Sequence, residues 1–144
     1  MIEYVKSSIF DSPAQTLVNP VNTVGIMGAG LAFEFKKRYP KMYTAYRDLC
    51  ENGLFSIGTL WIYYDKKNVL NFPTKKHWRH PSELIYIKLG LKEFVNTYEN
   101  MVITSISFPK LGTGYGGLNW EKEVQPLMEE YLNDLPIKTF IHLL

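Results

Sequence analysis

The feature that most constrains this chain is the alternation of short apolar runs with amphipathic helical stripes. The runs at 2–6, 16–20, 58–64, 68–72, 102–108 and 137–143 are rich in β-branched and aromatic residues, which predicts strands. Leu31, Phe35 and Tyr39 recur at helical spacing until Pro40 ends the helix. A second stripe, Met42, Tyr46, Leu49 and Cys50, stops at Asn52-Gly53. The third carries Leu84, Ile87, Leu91, Phe94 and Val95 behind Ser82 as the expected cap, and the last runs from Trp120 through Val124, Leu127, Met128 and Tyr131 to Leu135. Strands separated by such helices cannot close as hairpins, so the expected fold is α/β, with a mostly parallel sheet covered on both faces.

A chain of 144 residues is long enough for one domain, and no linker, repeat or low-complexity tract divides 1–144. Its balance of 46% hydrophobic and 21% charged residues with net charge +2 is that of an ordinary globular protein. It permits an anionic partner without demanding one. No apolar run is long enough to span a membrane, and the start of the chain does not read as a signal peptide. Cys50, the only cysteine, fits a reducing compartment, and the expectation is a cytoplasmic monomer.

In a sheet of this type ligands bind outside the carboxyl ends of the strands, and three loops there stand out. The first, 19–31, places Gly25, Gly28 and Gly30 within six residues just ahead of a helix start, where backbone N–H groups favour an anion. It has neither the Walker lysine nor the spacing of the dinucleotide fingerprint. Asn19 and Asn22 add neutral groups suited to hydroxyls or an amide, or to satisfying the local turn. The loop 109–120 holds four glycines in six positions, 112 to 117, a density that costs chain entropy and suggests backbone wrapped around a ligand. Two such loops side by side cradle a diphosphate. The middle loop, 71–81, concentrates Lys75, Lys76, His77, Trp78, Arg79 and His80. That cluster suits a solvated basic loop or a surface where bases stack and phosphates pair. No cysteine or carboxylate completes a zinc pattern with His77 and His80, so no metal is expected. A lysine beside another cation is a candidate nucleophile or base.

These three loops resemble the macrodomain family along nearly the whole chain. Gly28-Ala29-Gly30-Leu31-Ala32 with Phe35-Lys36-Lys37 is similar to two branches, the DNA-directed DarG antitoxins and the terminal ADP-ribose protein glycohydrolases. Asn71-Phe72-Pro73-Thr74-Lys75 with His77-Trp78-Arg79 looks closest to the DarG branch. The resemblance implies a three-layer α/β/α sandwich with a mixed, mostly parallel sheet. It implies a domain that binds ADP-ribose and removes it from thymidine in DNA. Lys75 takes the position of the catalytic lysine, and Asn22 that of its supporting asparagine. The protein-directed branch has an aspartate in the third loop, where this chain has Gly116.

The ligand contacts implied are Ser8, Ile9, Asn19, Gly28, Ala29, Gly30, Leu31, Thr74, Leu111, Gly112, Thr113, Gly114, Tyr115 and Gly116. Lys76, His77, Trp78 and Arg79 are the candidate contacts to single-stranded DNA. Ser8 stands where many macrodomains hold the adenine amino group with an aspartate, so adenine falls to backbone groups or a hydroxyl. DarG proteins carry a further C-terminal domain for their partner toxin, and with the chain ending at Leu144 toxin binding is not carried over. The scheme needs no metal or cofactor, because the ring oxygen activates the glycosidic carbon. Three alternatives stay open: a reader that binds ADP-ribose without cleaving it, a hydrolase of ADP-ribosylated protein or acyl-ADP-ribose, and a plain nucleic-acid-binding module.

Overall fold

Parallel strands need long crossovers, and this chain supplies them with helices. The computed structural model describes all 144 residues. Its six strands are β1 (Ile2–Val5), β2 (Thr16–Val21), β3 (Trp61–Tyr63), β4 (Asn68–Pro73), β5 (Ser105–Phe108) and β6 (Lys138–His142). They form one sheet in the order β1-β6-β5-β2-β4-β3. Every neighbouring pair is parallel except β3 with β4, so the sheet is mixed and mostly parallel, with one antiparallel edge strand.

The helices are α1 (Gly30–Arg38), α2 (Pro40–Glu51), α3 (Leu84–Thr97) and α4 (Gln125–Leu132). The period-two alternation of the strands divides the interior into two cores. Leu17 and Val21 of β2 and Val69 of β4 face Phe35, Met42 and Tyr46 on α1 and α2. Val18, Leu70 and Phe72 face the other way, onto Ile87, Leu91 and Phe94 of α3 and Met128 and Leu132 of α4. Helices on both faces of one sheet give the expected three layers. No helix is long and apolar enough to cross a membrane.

Four boundaries differ from the sequence reading, each for a physical reason. The first residue of α3 follows Glu83 rather than Ser82 as cap, because the Ser82 N–H donates to Gly116 O at 2.9 Å and ties Ser82 to another loop. The last helix opens as a π turn (Trp120–Val124) before α4. Pro126, in the first turn of α4, is the local cause: its ring disfavours a regular turn ahead of it, and the Gln125 N–H reaches back five residues to Trp120 O. The strand expected at 102–108 starts only at Ser105, because Val102 holds φ at +58° where the chain leaves α3. The strand expected at 58–64 shrinks to β3, since Thr59 N–H closes a turn onto Ser56 O at 2.9 Å.

Gly90 of α3 sits against the Phe72 ring, and a Cβ built there would lie 2.2 Å from Phe72 Cζ. This close approach seats α3 on β4 directly behind the strand end that bears Lys75. Gly90→Ala should therefore destabilise the domain by about 1–3 kcal/mol through overpacking. Urea unfolding measures it, and an unchanged midpoint would mean that Phe72 and α3 are free to move apart.

Candidate functional site

The three neighbouring strands β5, β2 and β4 run parallel, so the loops that follow them leave the same edge of the sheet. Between these loops lies a cleft of about 970 Å³, at the upper end of the range for small-molecule sites. Gly28 to Ala32 form one wall, Thr74, Lys75 and Trp78 to Ser82 a second, and Pro109, Lys110 and Gly112 to Gly117 a third.

Asn22 organises the first loop. Its Oδ1 accepts the N–H groups of Val24 (3.1 Å) and Ile26 (3.4 Å) and lies 2.8 Å from the buried Tyr46 hydroxyl. Its Nδ2 donates to Ile26 O at 2.7 Å. An amide nitrogen carries two hydrogens, so one remains for whatever fills the cleft that Asn22 lines. Asn22 makes no hydrogen bond to Lys75; the lysine is held elsewhere. The loop then enters α1 with Ala29 as N-cap and no side-chain cap, leaving the first N–H groups of the helix for an anion.

Lys75 is half-buried, and its Nζ donates to Trp78 O at 3.4 Å. Burial lowers its pKa from the ordinary lysine value. The neighbouring cation is not the cause: Lys76 is exposed and its Nζ stands 5.6 Å from the Tyr86 ring centre. Burial is the cause. The middle loop is pinned to the first by Thr23 Oγ1, which donates to Lys76 O at 2.9 Å.

The third loop is stitched to the middle one through the Ser82–Gly116 hydrogen bond. At Gly116 a side chain would crowd Ser82: a Cβ would lie 2.6 Å from Ser82 Oγ and 3.2 Å from its Cβ. Tyr115 is 80% exposed, yet its ring reaches across to the start of α1, 3.5 Å from where a Gly30 Cβ would be. Gly30 also has φ of +59°, so its backbone conformation favours glycine there. The cleft is thus bridged by an aromatic ring from the third loop to the first.

Of the residues named from sequence, Asn22, Gly28, Ala29, Gly30, Leu31, Thr74, Lys75, Gly112, Thr113, Gly114, Tyr115, Gly116, Trp78 and Arg79 line the cleft together. Six do not. Leu111 is wholly buried in the core. Asn19 is wholly buried too, and its Nδ2 donates to Asn71 Oδ1 at 3.1 Å from its register partner on β4. Ile9 packs into the core around Phe35, and Ser8 Oγ accepts the Phe10 N–H to cap a 3-10 turn (Ile9–Asp11). Lys76 and His77 belong to the middle loop but not to the cleft wall.

Lys110, Ser82 and His80 were not singled out for the cleft, although Lys110 was legible as a cation between a strand end and a glycine run. Lys75, Arg79 and Lys110 line the cleft with no aspartate or glutamate side chain, and none of the three takes part in an ion pair. The arrangement suits an anionic ligand. It offers one half-buried amine and no aspartate or glutamate for chemistry. No group of three or more His, Cys, Asp or Glu side chains is placed to hold a metal ion.

A family model for the Macro domain matches residues 18–127, and the chain belongs to that family. The chain is 42% identical over 134 residues to a DNA ADP-ribosyl glycohydrolase of Thermus aquaticus, covering 90% of this chain and 37% of that protein. It is likewise 42% identical to the Mycobacterium tuberculosis enzyme of the same name, covering 91% of this chain and 39% of the relative. The chain therefore spans about two-fifths of these curated relatives. The solved macrodomain of Thermus aquaticus DarG superposes with a TM-score of 0.93 at 39% identity, covering 100% of this chain and 99% of that one.

The Ser82–Gly116 contact yields a direct test. Gly116→Ala should destabilise the domain by about 1–3 kcal/mol, because the new methyl crowds the Ser82 side chain while the Ser82 backbone is held by its bond to Gly116 O. Ser82→Gly in the same chain should recover most of that loss, giving a favourable coupling in a double-mutant cycle. Additive losses in thermal or urea unfolding would show that the two loops are not in contact.

Proposed function

We propose that this domain binds ADP-ribose and hydrolyses the N-glycosidic bond that joins it to thymidine in single-stranded DNA, with Lys75 as the working group. The observation that carries the reading is the composition of the cleft: two cations, Arg79 and Lys110, no aspartate or glutamate, and one half-buried lysine, Lys75, with a lowered pKa. The likeness to DNA ADP-ribosyl glycohydrolases supports the activity, and a solved Thermosipho africanus DarTG in complex with ADP-ribose (TM-score 0.93, 36% identity, 99% of this chain and 41% of that one) supports the ligand.

On this reading the uncapped start of α1, with Gly28, Ala29, Gly30 and Leu31, receives the distal ribose and part of the diphosphate. The backbone of Gly112, Thr113, Gly114 and Gly116 closes on the diphosphate from the other side, and Tyr115 lies across it. Thr74 and the spare Asn22 amide hydrogen orient the ribose hydroxyls. With the Ser8 hydroxyl taken up by its cap and the Ile9 side chain in the core, adenine is left to backbone groups of that turn. Lys75, as the neutral amine, attacks the anomeric carbon; the bond to the thymine nitrogen breaks, and that nitrogen takes the proton that the newly bonded amine gives up. The ring opens to an imine, and water returns the lysine and frees ADP-ribose. No metal or cofactor enters the scheme.

A carboxylate-assisted attack on modified glutamate is disfavoured, because position 116 is a glycine and no aspartate or glutamate lines the cleft. A reducing cytoplasm and a monomeric state complete the proposal, in keeping with the single free Cys50.

The test follows release of ADP-ribose from a single-stranded oligonucleotide carrying ADP-ribosylated thymidine. The parent should release it, and Lys75→Ala should lose about a hundredfold or more in kcat/KM. Binding of free ADP-ribose without release by the parent would make the domain a reader instead. The pH dependence has a definite sign. The amine is the reactive form and burial favours it, so kcat/KM should rise with pH and level off below the ordinary lysine value near 10.4. A rate that falls as pH rises over that range would contradict a neutral-amine mechanism.

A further inference from the structure

The middle loop holds an assembly of planar groups that the chemistry at Lys75 does not use. His80 and His77 have ring centres 5.1 Å apart, and His77 stacks on Trp78 at 5.3 Å with 27° between the planes. The Arg79 guanidinium stands 4.6 Å from the Trp78 ring centre. A merely solvated basic loop would send its cations into water, whereas here His77 stacks on Trp78, Arg79 lies against the indole and His80 leans on His77 at 38°. The loop beneath them is fixed by hydrogen bonds: the Arg79 N–H donates to His77 Nδ1 at 3.1 Å and the His80 N–H to His77 O at 3.0 Å. The indole is nevertheless 44% exposed, and Trp78 and Arg79 both line the cleft. The Trp78 carbonyl is also the acceptor for Lys75 Nζ, so this assembly is one residue's reach from the proposed reacting amine.

We infer that Trp78, with Arg79 beside it, is the platform that stacks the base adjacent to the modified nucleotide, so that the recognised unit is a strand rather than a lone ADP-ribosylated nucleoside. The inference rests on the reading of the site given above and assigns Trp78 a specificity role within it. Exposed aromatic rings and guanidinium planes are the surfaces on which unpaired bases stack, and Lys76 and Arg79, neither in an ion pair, complement the phosphates on either side of that base. A base inside a duplex has both faces occupied, so the platform takes single strands.

The experiment compares two substrates, ADP-ribosylated thymidine as a nucleoside and the same unit inside a single-stranded pentanucleotide. Trp78→Ala should lower the ratio of kcat/KM on the strand to that on the nucleoside by about tenfold, mainly through KM on the strand. Trp78→Phe should restore most of the ratio. Equal losses on both substrates, or no loss, would overturn the platform. If the parent cleaves neither substrate, the hydrolase reading fails, and the platform is judged by binding. Unmodified thymidine pentanucleotide should then quench tryptophan fluorescence in the parent and bind Trp78→Ala about tenfold more weakly without that quench. Absence of quenching in the parent, or its survival in Trp78→Ala, would overturn the inference.

Discussion

The parallel pairing of β2 with β4 on one side and β5 on the other is the constraint on which the rest of this molecule depends. The register of β2 and β4 brings Val21 opposite Pro73, so the two strands end together and their loops leave side by side. The Thr74 N–H extends the ladder by donating to Val21 O at 2.8 Å. From there each loop is fastened to the next: Thr23 to Lys76, then Ser82 to Gly116, then Tyr115 over Gly30. The cleft is therefore a ring of three loops, closed by contacts between elements far apart in sequence. A slip in the central register would open it.

The layers of the fold were legible because the relevant signals are local. Alternation within 16–20 and 68–72 assigns residues to two faces, and the stripe Leu84, Ile87, Leu91, Phe94 falls on one face of α3. The glycine-rich loops and Lys75 were legible for the same reason, since glycine density and charge need no knowledge of partners. What escaped the sequence are pairings across long separations. Asn19 looked like a ligand contact because it precedes a glycine loop; its partner is Asn71, 52 residues away. Ser82 looked like a helix cap; it meets Gly116 instead. Leu111 sits among cleft residues in sequence, yet its side chain turns into the core. The π turn escaped as well, because it rests on the Gln125 N–H reaching Trp120 O ahead of Pro126.

The electrostatics follow from the same architecture. With the glycines supplying bare backbone and no acidic side chain on the walls, the cleft offers an anion exposed N–H groups and the cations Arg79 and Lys110. That choice leaves chemistry to an amine. Half-burial of Lys75 favours its neutral form, and a hydrogen bond to the Trp78 carbonyl aims it without pairing it to a charge that would restore its ordinary basicity. Asn22, its side chain held by Tyr46 and its own loop, positions the opposite wall rather than the lysine.

The central claim is that the Lys75 amine forms the bond to the anomeric carbon, and reductive trapping addresses it most directly. The parent protein would be mixed with single-stranded DNA carrying ADP-ribosylated thymidine in the presence of borohydride, then digested and mapped by mass spectrometry. The account predicts one reduced ADP-ribosyl adduct, on the peptide containing Lys75, absent from Lys75→Ala. Continued turnover with no adduct, or an adduct on another lysine such as Lys76 or Lys110, would contradict it.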